Sequence, residues 1–332
     1  MRYRRARGRA LLVTAVALAV AAGCSSGQGT AGAPSLEKTN LNVAVVPALD
    51  SAGFFVALYD GLFKAQGLNV TFHPATSSET VIAGQAQGVY DVTGGNYVSY
   101  IQAQQRGEAN LYIVAEGSVM QPGAQGIYTM PDSKVRTLSD LQGKTLAINA
   151  NRNILYLLAA SVLAGHGIKP RLVHFANVPF PDMPTALKSG AISAAVLPEP
   201  FASGAEEAEG AVPLVDLDQG ATMSFPVAGY VVTKQWAAKN PHTLAAFYRA
   251  LEEGQQIADT SQSWVEQAMM DLPTPFGVSR ETAAILALDS YPVSEGPVGT
   301  VDTVRLERVV NVMRQFIGFG KFNIGTMLMN GS

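Results

Sequence analysis

The sequence predicts an α/β protein of two lobes with a helical carboxy-terminal region. Short β-branched runs alternate with helical patterns from Leu41 onward, and the alternation restarts as a second series near Gln125. From Gln235 the pattern is almost wholly helical. The strand–helix crossovers of the first series predict a parallel sheet that is covered by helices on both faces.

In the first series each predicted strand is followed by a turn. Pro47 ends the first strand, and Gly94-Gly95-Asn96 ends the third. Thr76-Ser77-Ser78-Glu79 predicts a capping box at the start of the second helix. We predict strands over 41–46, 68–72, 90–93 and 111–115, and helices over 54–63, 81–87 and up to 104.

The second series and the helical end complete the two lobes. We predict strands over 126–130, 145–149, 172–175, 194–197, 212–215 and 227–233. Helical segments are predicted over 137–141, 155–166, 183–188, 200–208, 241–259, 262–271, 279–290 and 302–319. The chain would pass between the lobes near 118–126 and 224–230, which assigns 41–117 plus 231–332 to the first lobe and 118–230 to the second.

The composition excludes several classes of protein. The chain has 332 residues with a net charge of −3, and five arginines fall within the first nine residues. Without those five, 18 basic residues face 26 acidic ones, so the body is a poor partner for nucleic acid. A single cysteine excludes a disulfide framework, and the four histidines have no ligand-pair spacing, so we expect no metal site and no cofactor.

The amino terminus has the pattern of an export signal. A basic stretch over 1–9 precedes an apolar run from Ala10 to Ala22, which is too short to span roughly 30 Å of hydrocarbon at about 1.5 Å per residue. We therefore predict a signal peptide over 1–23. Ala21-Ala22-Gly23-Cys24 resembles the lipobox of bacterial lipoproteins, which implies cleavage before Cys24 and its modification by acyl chains such as palmitate.

The segment after Cys24 is rich in Ser, Gly and Ala, which predicts a lipidated flexible tether over 24–40. The protein would then be extracytoplasmic and anchored to the cell membrane by lipid. The alternative is a secreted protein whose cysteine falls at the cleavage site by chance. The Arg4-Arg5 pair leaves twin-arginine export open, although no bulky apolar pair follows it and general secretion is favoured.

The turns that follow the predicted strands are the candidate binding site. In open parallel sheets ligands bind beyond the carboxyl ends of the strands, where helix N-termini offer free N–H groups. Asp50 and Asp182 are carboxylates at this edge, but no pairing can be derived from the sequence, so no catalytic residue is assigned. The candidate ligand-binding residues are Ser51, Ser77, Ser78, Asn96, Tyr97, Glu116, Asn151, Asn153, Asp182 and Glu199.

Several of these residues also have a purely structural interpretation. Ser77 can be a helix cap only, and Tyr97 can belong to the core. Glu199, which precedes Pro200, can favour the start of a helix. Arg152 is the only cation in these turns and has the alternative of a solvated surface charge.

A series of short motifs over residues 41–260 resembles the solute-binding proteins of bacterial ABC importers, in the group for aliphatic sulfonates, taurine, nitrate and thiamin-pyrimidine precursors. The matching segments are Asp60-Gly61-Leu62-Phe63, Gly67-Leu68-Asn69-Val70, Gly88-x-x-Asp91-Val92, Asp140-Leu141-x-Gly143-Lys144, Ala186-Leu187-x-x-Gly190, Glu199-Pro200 and Lys239-Asn240-Pro241. The resemblance implies a type II periplasmic-binding fold that closes around a small organic solute or oxyanion. It also implies a monomer without enzymatic activity whose partners are an ABC permease and an ATPase.

Two departures from the family pattern leave the solute open. Ser193-Ala194 stands where the family has Asp-Ala, and Asn149–Asn153 lacks the usual Gly-Ser/Thr pair, so a neutral or aromatic solute and an oxyanion are both retained. One alternative function is an enzyme on the same fold, either a menaquinone-pathway dehydratase or a thiamin-pyrimidine synthase. The export signal opposes the first, and the lone Cys24 opposes the second. A solute-free sensor lipoprotein is the other alternative.

Overall fold

The computed structural model describes residues 35–284 and 301–329, in which two five-stranded sheets are surrounded by helices. The described residues belong to one compact unit. In chain order the strands are β1 (Asn40–Val45), β2 (Asn69–Pro74), β3 (Val92–Asn96), β4 (Leu111–Val119), β5 (Gln125–Thr129), β6 (Thr145–Ile148), β7 (His174–Asn177), β8 (Ala194–Pro198), β9 (Val212–Asp216) and β10 (Pro226–Thr233).

Helices connect and cover these strands. They are α1 (Ala52–Tyr59), α2 (Leu62–Ala65), α3 (Ser78–Ala86), α4 (Tyr97–Arg106), α5 (Ile154–Gly165), α6 (Met183–Lys188), α7 (Phe201–Glu209), α8 (Lys234–Lys239), α9 (Pro241–Thr260), α10 (Gln262–Met270), α11 (Arg280–Ala284) and α12 (Thr303–Ile317). Short 3-10 turns occupy Leu49–Ser51, Leu138–Leu141, Pro170–Leu172, Phe180–Asp182, Gly220–Thr222 and Ile324–Met327. None of the helices in the described part of the chain has the length and apolarity that a membrane span requires.

The strand order of the first sheet is β2-β1-β3-β10-β4, and that of the second is β7-β6-β8-β5-β9. We call the part of the molecule built on each sheet the first half and the second half. The four strands of the first series run in the same direction, as predicted, but neither sheet is fully parallel, because β10 runs antiparallel to β3 and β4, and β5 runs antiparallel to β8 and β9. In each sheet the reversed strand is the one that the chain enters from the other half, without a helical crossover within the same sheet.

The two connections between the halves lie side by side. The first leaves β4 at Val119, and the second enters β10 at Pro226, which is paired with Val119. The backbone N–H of Met120 donates to the carbonyl of Phe225 at 2.8 Å. The guanidinium of Arg308 on α12 donates to the carbonyls of Ala221, Met223 and Ser224, and so fixes the second connection to the carboxy-terminal helix.

The first half is held together by a close helix crossing and an aromatic core. A Cβ at Gly254 of α9 would lie 2.4 Å from the carbonyl oxygen of Gly53 on α1, so the two helices approach closely because neither position carries a side chain. Phe63 stacks on Phe247 with ring centroids 5.0 Å apart. Such pairs contribute about 0.5–1.5 kcal/mol beyond their buried area.

Some local predictions need correction. The capping box expected at 76–79 is not formed: α3 begins at Ser78, and Ser77 makes no side-chain cap hydrogen bond. Instead the hydroxyl of Thr80 donates to the carbonyl of Ser77 at 2.7 Å, as serine and threonine often do locally. A capping box does form at Thr137 and Asp140. Glu116, which was expected in a turn, lies inside β4.

The amino-terminal predictions are only partly covered by the structure. The signal peptide, the lipidation site at Cys24 and the tether as far as residue 34 lie outside the described residues, as do residues 285–290 of the helix predicted over 279–290. At the end of the predicted tether, the ammonium of Lys38 lies 2.7 Å from Asp91 Oδ1. The carboxylate of Glu37 accepts from the backbone N–H groups of His242 and Thr243 at the start of α9.

Candidate functional site

A cleft with about 370 Å³ of empty space, part of it continuous with solvent, lies between the two halves. It forms at the carboxyl ends of the parallel strands β1, β3, β6 and β8, which is the edge that the sequence predicts. From the first half the cleft is lined by Val46, Ala48, Asp50, Ser78, Gly95 and Asn96. From the second half it is lined by Gln125, Asn149, Asn153, Ile154, Leu155, Phe180 and Pro198.

Ser78 and Asn96 form a buried hydrogen-bonded pair on the first-half wall. The backbone N–H and the side-chain amide of Asn96 both donate to Ser78 Oγ at 2.9 Å. Asn96 Oδ1 accepts from the backbone N–H of Ser99, which caps α4. Gly95 allows this approach, because a Cβ there would lie 2.2 Å from Ser78 Oγ. The two predicted residues are therefore fixed in position before any solute arrives.

Asp50 supplies a carboxylate to the same wall. It lies in the 3-10 turn after β1 and is half-buried. Removal of water from around the carboxylate raises the pKa of Asp50 to about 6, while a hydrogen bond from the Ser51 hydroxyl at 3.3 Å acts in the opposite direction. At neutral pH the group is mainly ionised, and its charge is lost as the pH falls through about 6.

Asn153 organises the second-half wall. Its side-chain oxygen accepts from the backbone N–H groups of Leu155 and Tyr156 and caps α5. Its amide nitrogen donates to Asn149 Oδ1 at 2.6 Å. Asn149 Nδ2 in turn donates across the cleft to the carbonyl of Thr76 at 3.1 Å. Asn149 therefore links the residue that caps α5 to the first half by two hydrogen bonds.

Gln125 differs from the other amides in the cleft. It opens β5 opposite Pro198 of β8 and is 3% exposed. Its side-chain oxygen is buried and has no hydrogen-bond partner among the described residues. Leaving such an acceptor unsatisfied costs about 1–3 kcal/mol, which is a reason to expect a donor from a bound molecule or from water at this position.

Glu199 lies immediately behind the lining residue Pro198. Its backbone carbonyl accepts from the N–H of Leu49 in the first half at 2.8 Å. Its carboxylate accepts from the backbone N–H of Ser203 at 3.1 Å and from the Ser203 hydroxyl at 2.9 Å. Burial raises the pKa of Glu199 to about 7, although these hydrogen bonds act against the rise.

The structure thus brings Ser78, Asn96 and Asn153 together on the walls of the cleft. Ser51 and Ser77 are buried next to lining residues without lining the cleft themselves, and Glu199 occupies a similar supporting position. Of these six predicted residues, three line the cleft and three are buried sequence neighbours of lining residues.

The other four predicted residues lie elsewhere. The ring of Tyr97 packs in the core, where a Cβ at Gly229 would be 2.5 Å from it. Glu116 is buried and forms an ion pair with Arg305 of α12, with Oε1 and Nη1 3.5 Å apart. Asn151 is exposed and lines a separate surface depression, and Asp182 is exposed without lining the cleft.

Positive charge is absent from the lining. Within the part of the chain that the structure describes, no lysine, arginine or histidine lines the cleft. Arg152, the cation named from the sequence, donates instead to the carbonyl of Ile317 at the end of α12, while its own carbonyl accepts from Gln102 at 2.9 Å. Over the same residues no cluster of His, Cys, Asp and Glu is arranged to hold a metal ion.

Gln125 was missed in the sequence analysis, and Asp50 was named there only as a carboxylate at the right edge. No turn residue or motif marks Gln125, because it is the first residue of a strand whose reversed direction the sequence did not reveal. The one available signal was its position at the start of the second series, directly after the passage between the halves.

The chain belongs to the NMT1/THI5 like family, whose family model matches residues 48–261. This match confirms the family resemblance. The bicarbonate transport ATP-binding protein CmpC from Synechocystis is 30% identical over 233 residues, which cover 66% of this chain and 35% of CmpC. The chain therefore spans about a third of the length of the curated relatives it matches.

Solved structures with the same fold extend the comparison. The periplasmic nitrate-binding protein NrtA from Synechocystis has a TM-score of 0.73 at 16% identity, over 89% of this chain and 85% of NrtA. The alkanesulfonate-binding protein SsuA from Xanthomonas axonopodis pv. citri, bound to MOPS, has a TM-score of 0.69 at 16% identity, over 86% of this chain and 96% of SsuA. The two sheets and these similarities confirm the predicted periplasmic-binding fold.

Proposed function

We propose that this protein is the extracytoplasmic solute-binding component of an ABC importer. The observation that carries the proposal is the cleft, which has polar walls contributed by both halves and lies between halves joined by two adjacent connections. Membership of the NMT1/THI5 like family supports it, as do the transport function in the name of CmpC and the solute-binding functions in the names of NrtA and SsuA. The partners would be a membrane permease and an ATPase.

The proposed mechanism is closure around the solute. Two hydrogen bonds already join the halves beside the cleft, one from Leu49 N–H to the Glu199 carbonyl and one from Asn149 to the Thr76 carbonyl. A solute that contacts both walls adds interactions that exist only when the halves are together, so binding shifts the population toward the closed form. The parts that move would be the two halves, which meet at the connections after Val119 and before Pro226.

The assignment of individual residues follows the geometry. Ser78, Asn96 and Asn153 are the proposed direct contacts, because they line the cleft. Ser51, Ser77 and Glu199 would support them from behind, whereas Tyr97, Glu116, Asn151 and Asp182 do not line it. We infer that the solute is bound without conversion: the only ionisable side chain of the described lining is Asp50, which has no second acid or base beside it in that lining.

The proposal includes a lipid anchor at Cys24. The signal-like residues 1–23 and the cysteine at their end support it. Metabolic labelling of the full-length chain with a palmitate analogue should give a labelled, membrane-bound protein, and Cys24→Ala should give an unlabelled protein that is released. A Cys24→Ala protein that remains labelled in the membrane would contradict the anchor.

The binding function is tested with a thermal-shift screen of the chain without residues 1–23, against nitrate, bicarbonate, sulfonates, amines, pyrimidines and flavins. A solute at about 100 times its dissociation constant stabilises the protein by roughly 2.7 kcal/mol. The Asn96→Ala variant should reduce the shift more than the exposed control Asn151→Ala. If no solute raises the melting temperature, or if a bound solute is converted to product, the proposal fails.

A further inference from the structure

Two residues that line the cleft from opposite halves carry hydrogen-bond acceptors. Asp50 presents a carboxylate from the turn after β1, and Gln125 presents a buried side-chain oxygen from the start of β5. The oxygen of Gln125 has no partner among the described residues, and the residue is 3% exposed. Acceptors in these positions are satisfied by a molecule that brings N–H or O–H donors to both walls.

The same lining is unfavourable for an anion. No basic side chain of the described residues lines the cleft, and Arg152 is held by the carbonyl of Ile317 at the end of α12. Because Asp50 is the only charged group of this lining, an anionic solute would meet like charge without a compensating cation.

Helix N-termini could compensate for a missing cation, but side-chain caps already use part of the free N–H groups of α4 and α5. Asn96 accepts from the N–H of Ser99 at the start of α4, and Asn153 accepts from the N–H groups of Leu155 and Tyr156 at the start of α5. The first turn of α3 carries the carboxylate of Glu79, which already complements that helix dipole. The remaining lining from Ile154, Leu155, Phe180 and Pro198 is apolar and suits a hydrocarbon or ring portion.

We propose that the cleft selects a small organic solute without a negative charge, uncharged or cationic, whose N–H donors bind Asp50 and Gln125. This inference rests on the proposed solute-binding function and specifies its substrate class. It separates this protein from NrtA, named for nitrate, and from SsuA, named for alkanesulfonate.

The test uses probes that match in size and shape and differ in charge and donors. Benzamidine, benzamide and benzoate share a planar ring and present a cationic donor group, a neutral amide and an anionic acceptor group, respectively. Guanidinium, urea and nitrate form a second planar series without the ring. Calorimetric titration at pH 7.5 should give an affinity for benzamidine at least tenfold above that for benzoate, with benzamide between them, and guanidinium above nitrate.

Variants locate the preference in the cleft. Asp50→Asn should lower the affinity for benzamidine by about tenfold and leave that for benzoate equal or higher, whereas the exposed control Asp182→Asn should change neither. Gln125→Met removes the second acceptor without adding an unpaired group and should weaken both benzamidine and benzamide. It also serves as an independent variant if Asp50→Asn does not fold.

The outcomes separate the inference from the function. Tighter binding of benzoate or nitrate than of their donor counterparts overturns the inference and leaves solute binding intact. The inference is also overturned if no member of either series binds. A cleft whose lining residues carry two hydrogen-bond acceptors should bind at least benzamidine. The thermal-shift screen with the wider panel then decides whether the binding function itself stands.

Discussion

The two walls of the cleft differ in what they offer a solute. The first-half wall carries the charge of Asp50 beside a pair, Ser78 and Asn96, whose groups are engaged with one another. The second-half wall carries amides and apolar groups, and its Gln125 oxygen has no partner in the described structure. Neither wall alone offers both acceptors, so a solute that uses both stabilises the closed arrangement specifically.

Two acids close to the cleft, Asp50 and Glu199, repeat this contrast. Asp50 faces the cleft, where a solute can reach it, whereas the carboxylate of Glu199 is enclosed by the start of α7 and held by Ser203. Desolvation raises the pKa of both, to about 6 for Asp50 and about 7 for Glu199. We therefore predict that substitution of Asp50 mainly changes the affinity for the solute, and that substitution of Glu199 mainly changes the free energy of unfolding.

The largest expected effect is on the stability of Glu199→Gln. The pKa of Glu199 rises from 4.5 to about 7 on folding, so its favourable contribution is complete below pH 4.5 and is lost as the pH rises through 7. That rise corresponds to at most about 3 kcal/mol. Glu199→Gln should therefore be more stable than wild type in urea at pH 8 and not at pH 5, whereas the exposed control Glu253→Gln shows no such difference. Equal pH dependence of the two variants would refute this role.

The second prediction concerns the pH dependence of binding. The carboxyl of Asp50 becomes protonated as the pH falls through about 6, so benzamidine should bind more weakly at pH 5 than at pH 7.5. A hydrogen bond to a charged group is worth about 1.5–3 kcal/mol, which predicts a change of tenfold or more. In Asp50→Asn the affinity for benzamidine, measured by calorimetry, should hardly change between pH 5 and pH 7.5. If this variant keeps the pH dependence of wild type, another group is responsible for it.

The third prediction concerns the stability of the free protein. Gln125→Met replaces a buried acceptor that has no described partner, so the variant should be more stable than wild type by about 1–2 kcal/mol in the absence of solute. Gln142→Met, at an exposed position, is the control and should stay within about 0.5 kcal/mol. Denaturant titration measures both, and a destabilised Gln125→Met would mean that the oxygen is already satisfied.

The smallest expected effect is on closure. Asn149→Ala removes the hydrogen bond to the Thr76 carbonyl across the cleft, which is worth about 1 kcal/mol. The variant should bind its solute roughly fivefold more weakly, because closure becomes less favourable, while Asn151→Ala should bind normally. A normal affinity for Asn149→Ala would show that this hydrogen bond is not specific to the closed form.

Much of the fold was predictable because buried strands and amphipathic helices leave strong periodic patterns, as in α9. The direction of β5 and β10 was not predictable, since a fully buried strand has the same apolar pattern whichever way it runs. The sequence located Ser78, Asn96 and Asn153 because they lie at or just after strand ends, but it placed Glu116 in a turn. The position of Gln125 in the cleft depends on the direction of β5, and the raised pKa of Asp50 depends on the burial of its carboxyl. Only the folded chain defines these two properties.

The central claim is that the two halves close around a solute, and small-angle X-ray scattering tests it most directly. The chain without residues 1–23 is measured alone and with a saturating solute from the thermal-shift screen. We predict that the solute lowers the radius of gyration and that the bound curve fits the structure described above, in which hydrogen bonds join the halves beside the cleft. Identical curves for the free protein and the solute-saturated protein would contradict the claim.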